Sequence, residues 1–436
     1  MFYGCWDWHF LPLLFGLSAF AWGVARGLEA LADGRARKGL LALGIGGCLA
    51  VLGYYKYVVF FGLALVNALA WCGVEVAFSP PGVFLPLGIS FMVFHAISLL
   101  MDAYRRKLAK VGPLADTLLY VAFFPQLIAG PILRAARFLP QLRRAPDPAR
   151  IPVARGFLWI LLGLFKKVVL ANALASGIVD DVFAAPGLAS SSQALFAVYA
   201  YAVQIYCDFS GYTDIATGCA LLLGYRFPAN FANPYAATSP QDFWHRWHIS
   251  LSSWLRDYLY IPLGGSRKGA WRTHLNLIVT MLLGGLWHGA ALTFVAWGGL
   301  QGLLLSGHRL WCALPWVRAA AWRQSRAWRW IARFLLFHAV CLGWILFRAG
   351  DFSSAWALVA RIASADGALA DIPWPLLLAF VAGFGMQYVP LRFLARLEMG
   401  LVRLPPLARG GMAAAGLLLI EVLGPTGVAP FIYFQF

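Results

Sequence analysis

Residues 273–308 read THLNLIVTMLLGGLWHGAALTFVAWGGLQGLLLSGH, a run that contains no lysine and no arginine. A helix needs about 20 consecutive apolar residues to cross a bilayer, so this run is long enough for helices at membrane depth. Arg272 precedes the run and Arg309 follows it, and basic residues are typical of cytoplasmic loops that flank membrane spans. The run therefore indicates a membrane protein.

The composition of the whole chain agrees with this interpretation. Of its 436 residues, 61% are hydrophobic and 12% are charged, whereas soluble domains carry about 45–50% apolar and about 25% charged residues. The formal net charge of +17 would suggest nucleic acid in a soluble protein. Because the basic residues lie between apolar stretches, we assign them to cytoplasmic loops and expect no nucleic-acid partner.

Long stretches without lysine or arginine, here called gaps, recur along the chain. They predict an all-α polytopic membrane protein with about 10–12 transmembrane helices. The gap at 57–104 predicts two passes joined by a turn at 79–82. Residues 117–133 are apolar but flanked by basic residues, so we expect a re-entrant segment broken at Gly130 and Pro131. Residues 234–273 mix aromatic and basic residues and predict one or two interfacial helices. The later spans are expected near 331–347, 373–391 and 411–434.

The first interfacial helix should begin at Ser239-Pro240-Gln241-Asp242, which has an N-cap residue, a proline at the first position and an acid in the first turn. We find no internal repeat and no separate soluble segment. The expectation is therefore one transmembrane domain over residues 1–436. The seven cysteines are scattered without a CxxC motif, so neither a disulfide framework nor a zinc site is indicated.

Polar residues inside apolar spans are costly, so each is a candidate for function. His288 lies within the apolar stretch 280–299 and is surrounded by glycines. A helix from Arg272 to His288 rises about 24 Å, which places this histidine deep in the bilayer. Its imidazole can take a proton from a hydroxyl. The alternative is a neutral histidine that is hydrogen-bonded to a neighbouring helix.

Two other polar pairs have alternative interpretations. His245 and His248 lie three residues apart on the predicted interfacial helix and could hold a metal. Since no third ligand is evident, we expect no metal. We favour a role in orienting a substrate or in a structural hydrogen bond. Asp208 and Asp214 lie in YCDFSGYTDIA, 206–216. They either line a substrate path or are satisfied polar groups at a helix break.

No nucleophile elbow, P-loop or dinucleotide fingerprint is present. The residues alone therefore indicate a membrane enzyme or a transporter with a buried histidine. They do not specify the reaction.

Several long motifs, however, resemble the membrane-bound O-acyltransferase (MBOAT) family, most closely its alginate O-acetyltransferase branch. The most specific are WHRWHISLSSWLRDYLYIPLGG (244–265) and GGLWHG (284–289), and further matches are LPLGISFMVFHAISLLMDAYR (85–105), FFPQLIAGPILR (123–134), GLFKKVVLANALA (163–175), YCDFSGYTDIATGCALLLGYRFPANFANPY (206–235), LGWILFRA (342–349) and FIYFQF (431–436).

This resemblance implies a fold with re-entrant and interfacial helices around a central tunnel. It implies that His288 in the WHG motif is catalytic, that His248 is associated with activity and that Trp287 binds substrate or donor. By analogy, Asn230 in RFPANF binds substrate or donor in the region that other branches of the family fill with asparagine or aspartate. The donor implied is acetyl-CoA or another acyl thioester, with no bound cofactor. Arg246 and Arg256 are then either phosphate contacts at the cytosolic mouth or interfacial anchors.

The resemblance also implies partners and a location. These are membrane lipid, a periplasmic SGNH-type acetyltransferase and a polysaccharide export and synthase complex at the bacterial inner membrane. The expected function is O-acetylation of an exported polysaccharide such as alginate. Alternatives are acylation of peptidoglycan, cellulose or teichoic acid, or transport of an acyl donor or glycan without chemistry, which the lack of inverted repeats disfavours. The start at MFYGCWDWHF suggests that a first helix is missing.

Overall fold

The computed structural model describes residues 2–128, 130–366 and 371–425, and every regular element within these ranges is a helix. The motif FIYFQF at 431–436 and the end of the span expected at 411–434 lie outside the described residues. Packing divides the chain into two units. The first comprises residues 1–151 with 223–228, and the second comprises 152–222 with 229–436. Whether they form the single domain expected stays a prediction.

The first unit contains five helices of eight residues or more. These are α1 (Trp8–Ala30), α2 (Arg35–Trp71), α3 (Ile89–Tyr104), α4 (Leu114–Ala122) and α5 (Ala135–Leu142). Residues 74–86 between α2 and α3 are not helical, and this connection contains the turn predicted at 79–82.

The break predicted in segment 117–133 is present, although it starts earlier than expected. Helix α4 ends at Ala122, a single further turn ends at Leu127, and residues 130–134 are not helical. Side chains satisfy this irregular backbone, since Tyr120 Oη donates to Leu133 O at 2.7 Å and Gln126 Nε2 donates to Tyr120 O at 2.6 Å. Protein groups thus replace water around the broken segment.

The helices of seven residues or more in the described part of the second unit are numbered from α6 to α16. They are α6 (Val153–Ala184), α7 (Ser191–Leu222), α8 (Pro240–Arg246), α9 (Ile249–Leu255), α10 (Ala270–His288), α11 (Leu292–Ala313), α12 (Arg326–Arg348), α13 (Phe352–Ala363), α14 (Trp374–Gly385), α15 (Leu391–Arg403) and α16 (Pro406–Leu423).

Among the described residues, five helices are long and apolar enough to cross a membrane: α1, α2, α6, α12 and α16. Helices α7, α10 and α11 have 32, 19 and 22 residues, so they have the necessary length. They also carry the polar side chains of the candidate site. The number of crossings therefore stays a prediction, whereas the all-α polytopic character is confirmed.

Helices α6 and α7 pack at backbone contact through paired glycines. A β-carbon at Gly211 would lie 2.7 Å from the carbonyl oxygen of Gly163, and one at Gly218 would lie 2.6 Å from that of Gly156. Such distances leave no room for any side chain at these positions. The close approach brings the middle of α6 against the polar stretch 206–216 of α7.

Helices α10 and α11 form a hairpin that packs in the same way. A β-carbon at Gly285 would collide with the carbonyl oxygen of Phe294, and one at Gly298 would collide with that of Met281. Helix α10 ends at His288, and Gly289 is already extended, with φ −154° and ψ 149°. His288 therefore lies at the C-terminal end of a helix and next to a helix break.

Candidate active site

His248 lies at a break between two short helices. Helix α8 begins as predicted, since Ser239 Oγ accepts a hydrogen bond from the Asp242 amide at 3.1 Å and Pro240 occupies the first position. The helix ends at Arg246, and His248 adopts the left-handed conformation with φ 42° and ψ 55°. This conformation is unfavourable for a non-glycine residue and persists only where the surrounding structure imposes it.

The break corrects the interpretation of His245 and His248 as a pair on one helix, which is wrong. His245 is exposed on α8, whereas the His248 side chain is completely buried beyond the end of that helix. The two rings therefore share no helix face. The spacing failed as a guide because the chain changes direction between them.

Asn230 imposes the conformation of this break. Its Oδ1 accepts hydrogen bonds from the amide and the hydroxyl of Ser250, at 3.0 and 2.8 Å. Its backbone carbonyl accepts a further bond from the Ile249 amide at 2.9 Å. A residue that is distant in sequence thus caps the first turn of α9 and holds His248 at its N-terminus.

The same asparagine fixes the tautomer of His248. The Nδ1 atom lies 3.2 Å from Asn230 Oδ1, and that oxygen can only accept, so Nδ1 carries the proton and Nε2 carries the lone pair. Helices α8 and α9 are too short to span a membrane. Burial lowers the pKa of His248 to about 3, so the ring is neutral near neutral pH.

The side of the His248 ring that carries Nε2 lies among aromatic side chains. Its ring contacts Phe209 edge to face, with centroids 4.6 Å apart, and lies 6.3 Å from the ring of Trp287. Nε2 is buried and has no hydrogen-bond partner among the residues that the structure describes. This nitrogen is therefore an acceptor available to a bound substrate.

His288 joins the same cluster through Trp287. Its ring centroid lies 5.0 Å from Trp287, 5.1 Å from Trp297 and 5.2 Å from Phe347. Trp287 therefore contacts the rings of both His248 and His288. The structure thus brings together four of the predicted residues, namely Asn230, His248, Trp287 and His288.

Trp297 was not identified from the sequence. Its indole Nε1 is buried and, within the described part of the chain, has no hydrogen-bond partner. A buried N–H donor beside a histidine can stabilise negative charge that develops on a substrate oxygen. The sequence offered only a tryptophan in an apolar run, which is more often a packing residue than a functional one.

Asp208 and Asp214 form buried ion pairs with two lysines of α6. Lys166 Nζ lies 2.6 Å from Asp214 Oδ2, and Lys167 Nζ lies 2.5 Å from Asp208 Oδ1. All four side chains are buried. The arrangement favours satisfied polar groups over a substrate-lining role for the two aspartates.

The lysines were not singled out from the sequence. Two consecutive charges inside an otherwise apolar span were the signal available, because such charges are retained only where partners exist. The helix has π-helical hydrogen bonding at Phe165–Ala171, a feature that often accompanies functional sites. The ion pairs also connect to the histidine cluster, since Phe209 contacts His248 and Thr213 Oγ1 lies 3.5 Å from Asn230 Nδ2.

The two candidate arginines differ in their surroundings. Arg246 donates to Asp242 at 2.7 Å and to Ala232 O at 3.4 Å, contacts that tie α8 to the preceding loop. Arg256 lies beside Asp257, and more than half of its side chain is exposed. Arg256 lines a cavity between α8, α9, α10 and α11.

A cavity of about 320 Å³ lies between α8, α9, α10 and α11. Three basic side chains, His245, Arg256 and Arg309, line it together with apolar groups such as Met281. Its wall includes Trp244, whose ring lies 5.9 Å from Trp297. Through these two indoles, the cavity borders the cluster around His288.

Comparison with known proteins connects this site with a family. Residues 53–348 match the model described as MBOAT, membrane-bound O-acyltransferase family, and this range contains every candidate residue. The Azotobacter vinelandii protein named "Probable alginate O-acetylase AlgI" is 41% identical over 378 residues, which cover 85% of this chain and 72% of that protein.

Two further relatives are named for other acceptors. The Helicobacter pylori "Peptidoglycan O-acetyltransferase" is 35% identical over 392 residues, covering 84% of this chain and 72% of that protein. The Bacillus subtilis "Teichoic acid D-alanyltransferase" is 28% identical over 276 residues, covering 61% of this chain and 69% of that protein.

Proposed function

The chain belongs to the membrane-bound O-acyltransferase family and is a multi-pass membrane enzyme, and on this premise we propose that it transfers acetyl groups to an exported polysaccharide of the alginate type. The donor is a cytosolic acyl thioester, acetyl-CoA. The enzyme acts at the bacterial inner membrane. A periplasmic SGNH-type partner completes the transfer to the sugar hydroxyl, in association with the polysaccharide export and synthase complex.

One observation carries the proposed site. Trp287 contacts both His248 and His288, while Asn230 fixes His248 with its Nε2 lone pair inside the aromatic cluster. Acyl transfer from a thioester needs a base beside the acceptor hydroxyl and a donor for the oxyanion. The cluster supplies both, with His288 as the base and the buried Nε1–H of Trp297 as the donor.

The roles differ between the two histidines. A group with a pKa of about 3 is a weak base, so His248 accepts a hydrogen bond that orients a substrate and does not store the proton. His288 is the base. The hydroxyl that first receives the acetyl group gives its proton to His288 as its oxygen bonds to the carbonyl carbon, the C–S bond breaks, and the thiolate takes the proton from His288. The resulting acetyl ester then passes the group to the periplasmic partner.

Trp297 supplies the hydrogen-bond donor for the oxyanion. Its buried indole N–H, beside His288, donates to the carbonyl oxygen as negative charge develops there. The cavity lined by His245, Arg256 and Arg309 binds the donor, with the basic groups facing its phosphates. Trp244 lines this cavity and its ring lies 5.9 Å from that of Trp297, so the donor lies next to the reaction site.

The test is the acetyl content of the exported polysaccharide in a deletion strain. Complementation with the wild-type gene should restore ester-linked acetyl, and complementation with His288→Ala should not, at equal protein level by immunoblot. Restoration by His288→Ala would reject the base assigned here. Loss of the exported polymer itself, with its remaining acetylation unchanged, would favour transport without chemistry.

Peptidoglycan is a second candidate acceptor, because the Helicobacter pylori peptidoglycan O-acetyltransferase is 35% identical over 84% of this chain. In the same strains, O-acetyl groups on peptidoglycan should be measured in parallel. A decrease in peptidoglycan acetylation alone would assign that acceptor and overturn the polysaccharide. A decrease in polysaccharide acetylation alone would confirm the first proposal.

A further inference from the structure

A second large cavity lies between helices α11 and α12, away from the residues assigned to the reaction. Its volume is about 770 Å³. We call it the α11–α12 cavity. It is lined by residues between Leu303 and Trp311 of α11 and between Trp328 and Ala339 of α12, and also by Arg323 and by residues 238–240 at the start of α8. The stretches of α11 and α12 are the C-terminal part of one helix and the N-terminal half of the next, so the cavity lies at the end where residues 314–325 connect the two helices.

The lining changes from basic to apolar along the helices. His308, Arg323 and Arg329 lie at the connecting end, while Leu303 and Leu336 lie deeper. From Arg329 to Ala339 an α-helix rises about 15 Å. Helix α12 is one of the membrane-crossing candidates, so this gradient runs from the membrane boundary toward the hydrocarbon.

The basic groups at this end have no acid close to them in sequence, and Asp242, which accepts from the amide of the lining residue Thr238 at 3.2 Å, is already paired with Arg246 at 2.7 Å. No aspartate or glutamate occurs from residue 258 to residue 350. Arg323 Nη2 donates to the sulfur of Cys312 at 3.2 Å, which holds its guanidinium at the cavity without neutralising it. Such positive charge, placed at the membrane boundary, attracts a phosphate group.

Two tryptophans complete the boundary. Trp311 and Trp328 line the same end of the cavity as the arginines. Indole rings favour the headgroup level of a bilayer, where one face is apolar and the other polar. These features match one phospholipid molecule. The arginines match its phosphate, the indoles match its headgroup level, and the aliphatic residues deeper in the cavity match an acyl chain.

From this arrangement we propose that the α11–α12 cavity is a binding site for an anionic phospholipid. The lipid phosphate lies against Arg323 and Arg329, and an acyl chain lies along Leu303 and Leu336. The two helices that the lipid bridges also carry Trp297 and Phe347, which contact His288. The lipid therefore braces the helices behind the reaction site, and its binding does not depend on the proposed reaction.

The test is native mass spectrometry of the purified full-length protein with phosphatidylglycerol or phosphatidylcholine added. The wild type should retain phosphatidylglycerol and not phosphatidylcholine. The double variant Arg323→Gln/Arg329→Gln should weaken retention about 30-fold, from about a fivefold contribution of each basic residue at a membrane surface. The matched control is Arg318→Gln/Arg326→Gln, which removes two charges from the same segment but none from the cavity lining.

Three results would overturn the proposal. Equal losses in both double variants would mean a diffuse attraction of the basic segment. Displacement of the lipid by inorganic phosphate or by coenzyme A would mean a site for soluble phosphates. Unchanged lipid retention in Leu336→Trp, which fills the deep end while preserving every charge, would mean that no acyl chain occupies the cavity. Thermal unfolding of each variant checks that it is folded.

Discussion

Two buried polar clusters of the second unit differ in charge and in the use of their hydrogen-bonding groups. Lys166 and Lys167 are each within 2.6 Å of an aspartate on α7. By contrast, His248 and Asn230 form a neutral pair in which one nitrogen, Nε2, has no hydrogen-bond partner in the described residues. Both clusters lie where two elements meet closely.

The difference separates a structural role from a chemical one. Buried charges are tolerated only when they are paired, so the lysine–aspartate pairs hold α6 against α7 and have little capacity to bind a substrate. The neutral cluster keeps a buried acceptor on His248 and, nearby, a buried donor on Trp297. The proposed site therefore offers a substrate spare hydrogen-bonding groups and no paired charges.

The largest expected effect on stability comes from breaking one ion pair. Asp214→Asn leaves Lys166 charged without its partner, and removing one partner of a buried pair costs about 3–5 kcal/mol. We expect poor folding and a lowered thermal midpoint, measured on detergent-solubilised protein.

The matched variant is Lys166→Met/Asp214→Leu, which replaces both charges with apolar groups. This double variant should regain most of the lost stability and also transfer acetyl at a near-wild-type rate. Stable protein with lost activity in the double variant would contradict the structural role and place the pair in the chemistry.

Next in size is the effect of removing the indole N–H beside His288. Trp297→Phe should lower kcat by about 10²–10³-fold, as expected for the loss of one oxyanion donor, with little change in KM. The control is Trp344→Phe in the same aromatic cluster, because Trp344 Nε1 already donates to Tyr235 Oη at 3.1 Å. Similar losses of kcat in both variants would indicate disturbed packing and reject Trp297 as the donor.

A change of charge beside His248 should make the reaction sensitive to pH. In Asn230→Asp, a carboxylate faces Nδ1–H and stabilises the imidazolium, which raises the pKa of His248 from about 3. Protonation then blocks Nε2 as pH falls through the raised pKa. Because an adjacent opposite charge raises such a pKa by about 1–3, the rate of the variant relative to wild type should decline as pH falls below about 6.

This prediction has a control in Asn230→Ala, which removes the same amide without adding a charge. Its relative rate should be lower but independent of pH. A flat ratio for Asn230→Asp would show that Nε2 is not used as an acceptor.

The smallest effect is expected at the donor cavity. Arg256→Gln should raise the KM for acetyl-CoA about threefold to tenfold and leave kcat unchanged, because an exposed charge contributes about 1 kcal/mol. Arg267→Gln, in the same exposed segment but outside the cavity lining, should leave both constants unchanged. An unaltered KM in Arg256→Gln would make this arginine an interfacial anchor.

The sequence predicted those parts of the site that depend on local signals. Ser239 and Pro240 start α8 as expected, and a helix reaches from Arg272 to His288. The resemblance to the family named His288, His248, Asn230 and Trp287 as site residues, and the structure brings these four together. The start of α8 and the extent of α10 follow from short motifs whose geometry is set within a few residues.

Other features depend on contacts between distant segments, which a local pattern does not contain. The helix break at His248 exists because Asn230 caps α9 from 18 or more residues away. The pairing of Lys166 with Asp214 joins residues 48 apart and requires the backbone contact of Gly163 with Gly211. The sequence alone therefore suggested a continuous helix through His245 and His248, and left the aspartates open to two interpretations.

The most direct test of the account is a double-mutant cycle between His248 and His288, measured as the initial rate at which ester-linked acetyl appears on the exported polysaccharide in the complemented deletion strain at equal protein level. Residues that act as one unit show strongly non-additive losses. We predict that His248→Ala/His288→Ala is no slower than the slower single variant, within about twofold. Multiplication of the two single losses, or a His248→Ala variant that transfers at the wild-type rate, would contradict a single site around Trp287.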